Sequence, residues 1–348
     1  MARRDSIGTV PETVQQGATP QADGRTGAHV ARRSGLGAAV SRLPAGIDLS
    51  DLTPLAVIIA LLIGGSIFSP FFLTASNLTN VLTQVAVIGI VTMAQTILLI
   101  AGGIDLSVGN NVAVSGVVCG EIYAAGHPLW LGCLAGLACG TLIGFVNGVL
   151  VAQNRAHPFI ITLGMFTLLD GLATKLTGGS PVNDMGALNT TLGGTLPGGI
   201  PTAIILLLVA VALVSLFLRR APLGRAAYAI GGNEEASYLS GIPIKRTKIY
   251  LYTIVGFIVG VAALVESGIL NEASNTIAPG LELQSIAAAV IGGTPLFGGR
   301  GGALRSLQGV ILLGLISNIL NLVGLGGEYR NIVTGIIVIV AVMVQKLK

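Results

Sequence analysis

Residues 102–109 read Gly-Gly-Ile-Asp-Leu-Ser-Val-Gly and set a carboxylate inside a stretch that is otherwise almost wholly apolar from Val81 to Val118. An ionisable side chain in such a setting is costly and marks a position the fold or the function needs. Asp105 followed by Leu106 and Ser107 has the form of a helix start, where a carboxylate accepts backbone N–H bonds and meets the positive end of the helix dipole. It could equally contact a polar solute, and one residue can do both. A second broken stretch, residues 292–299 (GGTPLFGG), shares the frame G-G-x-x-L-x-x-G with the first. Paired Gly/Pro-interrupted segments point to a translocation path, or to close approach of two backbones where side chains are small. Ser107, Asn147, Asp170, Glu266, Asn318 and Asn321 are further polar residues within apolar segments. They could line a path for a hydroxylated solute or pair with neighbouring helices.

Catalytic chemistry is not supported. No G-x-x-x-x-G-K-[ST] occurs, so the chain does not itself hold a nucleotide on a P-loop. His29, His127 and His157 stand alone, and there is no H-E-x-x-H, G-x-S-x-G or Cys/His cluster. Cys119, Cys133 and Cys139 lack metal-type spacing, and an odd count argues against a disulfide framework, so they read as packing residues. No metal or cofactor is expected.

The elements that position these residues are membrane helices. The 348 residues are 52% hydrophobic and 10% charged, against roughly 25% charged in soluble domains. Eleven of the 19 basic and 15 acidic residues fall in the first 53 positions, leaving too little charge to wet the rest. The net charge of +4 forms no basic face of the kind a nucleic acid needs. Residues 1–50, rich in Gly, Ala, Arg, Ser, Thr and Pro, read as a disordered cytoplasmic tail, and residues 51–348 as the membrane domain.

Ten segments are apolar enough to span a bilayer: 54–73, 79–101, 105–125, 129–152, 159–177, 200–218, 249–270, 284–299, 303–323 and 331–345. With both termini cytoplasmic, this all-α arrangement puts 17 of the 19 basic residues inside, leaving Lys175 and Arg330 outside. The sizeable inner loop is 219–248. Within it Asn233 suits an N-cap, Glu234 and Glu235 the first turn, and Gly241 the C′ position of a helix of about two turns. So short a helix has little reason to persist in water alone, and a partner surface would explain it.

At these residues the chain resembles the permease subunits of bacterial ABC importers for ribose, xylose, galactose and related sugars. The resemblance rests on residues 102–109 (GGIDLSVG), 224–242 (GRAAYAIGGNEEASYLSGI), 280–297 (GLELQSIAAAVIGGTPLF) and 298–301 (GGRG), in that order across about residues 54–345. It implies a multi-pass protein of the bacterial inner membrane that pairs with a second permease copy and takes sugar from a periplasmic binding protein. It also implies an ATP-binding partner subunit with tandem cassettes, which would bind the ATP this chain cannot. By matching position, Gly231, Asn233, Glu234, Glu235, Ala236, Leu239, Ser240, Gly241 and Ile242 would form the coupling segment for that ATPase. Asp105, Ser107, Asn147, Asp170 and Glu266 would be candidates for the substrate path. An ion-coupled secondary transporter using Asp105, Asp170 and Glu266, and a permease for branched-chain amino acids, are the alternatives.

Overall fold

Long apolar runs placed in lipid must satisfy every backbone group internally, which leaves the helix as the economical choice. The computed structural model describes residues 49–153 and 155–346; the predicted tail lies outside them. Thirteen helices occur among the described residues. They are α1 (Leu49–Phe68), α2 (Ala75–Ile100), α3 (Val108–Ala124), α4 (Leu129–Ala152), α5 (Pro158–Thr177), α6 (Ala187–Thr191) and α7 (Thr202–Arg220). Then follow α8 (Pro222–Gly232), α9 (Glu234–Leu239), α10 (Ile244–Leu270), α11 (Leu281–Ile291), α12 (Ala303–Leu322) and α13 (Gly327–Lys346). Six of them, α2, α4, α5, α7, α10 and α12, are long and apolar enough to cross a membrane. The fold is all-α and polytopic.

Each of the ten predicted segments contains a helix, with one substantial correction. The segment 284–299 is helical only as far as Ile291. Its eleven residues make α11, about 16 Å long against a hydrocarbon core of about 30 Å. Gly292, Gly293 (φ 94°), Pro295, Gly298 (φ 84°) and Gly299 (φ 77°) supply turns in place of further helix.

At the centre stands α2. From Val85 to Ile100 it is buried except at Ile88, as expected of a helix apolar all round, and α7, α10, α11 and α12 pack about it. The closest helix pairing joins α4 to α10. Gly132, Gly136, Gly140, Gly144 and Gly148 recur every four residues and so line one face of α4. One end of this groove admits α3: a Cβ on Gly132 would lie 2.6 Å from the Cys119 carbonyl oxygen, and one on Gly136 2.7 Å from that of Ser115. Its other end admits α10, where a Cβ on Gly144 would lie 2.7 Å from Gly256 Cα and one on Gly148 2.9 Å from Ile249 Cα. Such close backbone approach is how helices associate in lipid, where no hydrophobic force drives them together.

Two short antiparallel pairings close the connections between α5 and α7 and between α10 and α11. Strand β1 (Val182–Asn183) pairs with β4 (Glu272–Ala273), and β2 (Thr195–Leu196) with β3 (Ile200–Pro201). Elsewhere the perimeter is apolar, with Ile59, Leu134, Leu142, Leu208, Leu213, Leu216, Ile336 and Ile339 all exposed. A surface of this kind is solvated by lipid tails.

Candidate functional site

The break at residues 102–109 is built from backbone and buried polar side chains. At the end of α2, Gly102 takes φ 73°, its N–H donating to Leu99 O and that of Gly103 to Leu98 O. The Tyr252 hydroxyl of α10 donates to Ile104 O at 3.0 Å, and the Gln95 amide donates to the Asp105 carbonyl. Asp105 is 2% exposed. Its Oδ1 accepts from the Ser107 N–H (2.8 Å) and hydroxyl (2.6 Å), and its Oδ2 accepts from Asn147 Nδ2 (3.2 Å). Asn147 Nδ2 also donates to Ser107 Oγ at 2.8 Å. Sequence alone put Asp105 at the helix start. In the structure α3 begins at Val108, and Ser107 stands at the N-cap without a side-chain cap bond. The reason is local: Asp105 folds the chain into a turn of its own and draws the Ser107 hydroxyl back toward itself. Asp105, Ser107 and Asn147 thus form one knot, in which Asn147 Oδ1 and Gln95 Oε1 keep no partner.

The other path candidates lie elsewhere. Glu266 follows Tyr252 by fourteen residues on α10, about 21 Å along the helix. It lines a cavity of about 270 Å³ together with Gln84, Gln284, Ser317 and Arg330, among aliphatic walls that include Ile269, Ile277 and Leu281. Glu266 and Arg330 make no ion pair with each other among the described residues, and Arg330 Nε is buried without a partner. Asp170 is exposed on α5, in line with the exposed Gly164, Thr167, Gly171 and Thr174. Asn318 makes a reciprocal amide pair with Asn77 (3.0 and 2.8 Å), which fastens α12 to α2; Asn321 is exposed.

Several polar residues of this region were not singled out from sequence. Glu282, buried in the first turn of α11, sets its carboxylate against Gly109 in the first turn of α3, where a Cβ would collide with it. The starts of two helices that follow chain breaks therefore meet. Asn110 donates to Phe166 O (2.8 Å) and Asn275 to Thr174 Oγ1 (3.0 Å), tying α5 to this region. The signal for Glu282 was present: an acid two residues after Gly280. Starting the eighth segment at 284 excluded it.

The inner loop is more helical than expected. Arg220 ends α7, and α8 occupies eleven residues before Asn233. Asn233 ends α8 and caps α9, its Oδ1 accepting from Ala236 N–H at 2.9 Å. Glu234 pairs with Lys248 of α10 at 2.8 Å, Ser240 is the C-cap, and Gly241 follows with φ 83°. The Ile242 N–H donates to Ser237 O at 3.1 Å and closes the turn. Glu235 and Ala236 are exposed, while Tyr238 and Leu239 are 70% and 79% exposed, so α9 shows an apolar tip that the described residues leave uncovered.

The two G-G-x-x-L-x-x-G frames meet beneath this loop. Gly299 N–H donates to Ile100 O at 2.9 Å. A Cβ on Gly298 would lie 2.8 Å from both Gly102 N and Gly231 Cα, and one on Gly231 would strike Ile100 O and come within 2.6 Å of Gly299 N. The Tyr228 hydroxyl adds a bond to Gly301 O at 2.9 Å. This is close packing of backbones, and it joins the end of α8 directly to the end of α2 and to the connection between α11 and α12. The described residues contain no cluster of three or more His, Cys, Asp or Glu able to hold a metal ion.

Comparison with known proteins identifies the family. The chain is 38% identical to the ribose import permease protein of Escherichia coli over 306 residues, 87% of this chain and 94% of that protein. It is 35% identical to the ribose import permease protein of Bacillus subtilis over 305 residues, covering 86% and 94%. With the fructose import permease protein of Rhizobium meliloti it shares 32% over 315 residues, covering 87% and 85%. No solved structure matches the chain. The family described as branched-chain amino acid transport system / permease component matches residues 77–342, and the chain belongs to it.

Proposed function

We propose that this chain is the membrane-embedded half of an ATP-driven importer for a monosaccharide of the ribose type. It sits in a bacterial inner membrane with both termini cytoplasmic. The sugar arrives on a periplasmic binding protein, a separate subunit with tandem cassettes hydrolyses ATP, and two permease copies enclose the path. The observation that carries the coupling half is α9: a capped helix with an uncovered Tyr238–Leu239 tip, linked through Gly231 to the end of α2 and the connection between α11 and α12. A push on α9 reaches the membrane through backbone contacts that have no side chains to compress.

The path half is supported by α5. A carboxylate on an exposed helix face inside a bilayer does not face lipid, so Asp170, with Thr167 and Thr174, faces the second copy across a polar conduit. Glu282 and Asn110, at the meeting of α3 and α11, extend that conduit. The Asp105–Ser107–Asn147 knot holds the break between α2 and α3 in shape. The outer cavity with Glu266 receives solute on its way inward.

One observation favours a second reading for the solute. A carboxylate and a guanidinium that share an aliphatic cavity without pairing would suit a zwitterion such as a branched-chain amino acid. An ion-coupled carrier is less well supported, because Asp105, Asp170 and Glu266 occupy three separate places. Co-purification tests the coupling half: tagged chain should retain its ATPase subunit through membrane extraction, and Leu239→Asp should release it. Retention by the variant would show that α9 is not the docking element.

A further inference from the structure

A cavity of about 600 Å³ opens beside α9 and is not used by the transport reading. Gly103 and Tyr252 form its inner wall, and Arg155, His157, Lys248 and Glu234 line it. The polar groups are predominantly donors. Arg155 is exposed to the cavity and makes no ion pair or hydrogen bond among the described residues. His157 is the N-cap of the 20-residue α5, and its Nδ1 accepts from the Phe159 N–H at 3.3 Å. With Nδ1 accepting, Nε2 is the ring nitrogen left to donate. Lys248 is only 13% exposed and shares the cavity's single lining carboxylate, Glu234. Basic residues at helix ends follow from topology, but topology does not require Arg155 and Lys248, from two different elements, to line one hollow together with His157.

We infer that this cavity binds a phosphate group: a phosphorylated monosaccharide from the cytoplasm or the headgroup of an anionic lipid. Arg155 supplies a fork of donors, and His157 and Lys248 supply one further contact each. The volume exceeds what inorganic phosphate alone needs and leaves room for the group esterified to it. An anion there competes with Glu234 for Lys248. Because Glu234 opens α9, occupancy weakens one tie between that helix and α10. The regulatory consequence rests on α9 being the ATPase dock, whereas binding itself does not.

The test uses full-length chain in nanodiscs of phosphatidylcholine alone and of equal parts phosphatidylcholine and phosphatidylglycerol. Inorganic phosphate and ribose 5-phosphate are titrated at constant ionic strength, and the unfolding temperature is read. In phosphatidylcholine discs both should give a saturable rise, ribose 5-phosphate at lower concentration. The double variant Arg155→Gln, His157→Gln changes exposed positions and should fold, with affinity reduced about tenfold or more. If phosphatidylglycerol discs stabilise the wild type and added phosphate then does nothing, the headgroup is the occupant and the site stands. No saturable response in either disc, or an equal response in the double variant, overturns the assignment even if sugar transport is established.

Discussion

Replacing Asp105 separates a structural carboxylate from a transporting one. In Asp105→Ala the three bonds from Ser107 N, Ser107 Oγ and Asn147 Nδ2 disappear together. The buried Ser107 N–H is stranded, and each such orphaned group costs about 1–3 kcal/mol. With the weakened Asn147 contact the sum is about 3–5 kcal/mol, the range seen when one partner of a buried polar set is removed. Asp105→Asn keeps the same shape and both Ser107 bonds. Its new amide faces Asn147 Nδ2, and the clash is relieved when the Asn147 amide turns to present Oδ1, which has no partner in the wild type. That exchanges the 2.8 Å bond from Asn147 to Ser107 for a new one, a net cost of about 1 kcal/mol. The assay is loss of monodisperse protein on heating in detergent, with solute uptake measured in parallel. The expected falls in unfolding temperature are on the order of 10 °C for Ala and about 2–4 °C for Asn, with uptake largely kept in the Asn variant. Wild-type stability combined with abolished uptake in Asp105→Asn would mean that the charge itself serves transport, and the structural assignment would be refuted.

Gly144→Val places a side chain against Gly256 Cα at 2.7 Å and its N at 2.9 Å; little folded protein should be recovered, since overpacking costs about 1–3 kcal/mol or more. Gly335→Val, with open space around it, should fold normally, and equal yields of the two would refute the α4–α10 seam. Leu239→Asp should leave the unfolding temperature unchanged, within about 0.5 kcal/mol for an exposed site, while ATPase binding is lost on a pull-down. Asp170→Leu should express at wild-type levels and cut uptake about tenfold or more, as an ionisable residue on a conduit demands; unaltered uptake would place α5 away from the path.

The periodic, long elements were legible because apolar length alone defines them. The α9 helix was legible too, since Asn233, Glu234, Glu235 and Gly241 each carry a cap or dipole preference that the folded chain uses. Boundaries set by tertiary contact were not. Asp105 looks like an N-cap until Ser107 and Asn147 are seen to share its oxygens, and Asn147 is 42 residues away. The shortness of α11 follows from Gly292 and Gly309 packing against α12 and α11 backbone respectively, and hydropathy is blind to that. The glycine ladder from 132 to 148 was not singled out from sequence, and nothing in α4 alone names its two partners. Asp170, Glu266 and Asp105 carry the same signal in sequence, a charge among apolar residues. Only the fold distributes them to a surface, a cavity and a closed knot.

The most direct test is transport in proteoliposomes holding the chain, its ATPase subunit and its binding protein, with ribose outside and ATP within. Uptake should require ATP and all three proteins, and should persist when proton and sodium gradients are collapsed. Uptake by the chain alone that follows an ion gradient and ignores ATP would contradict the importer assignment.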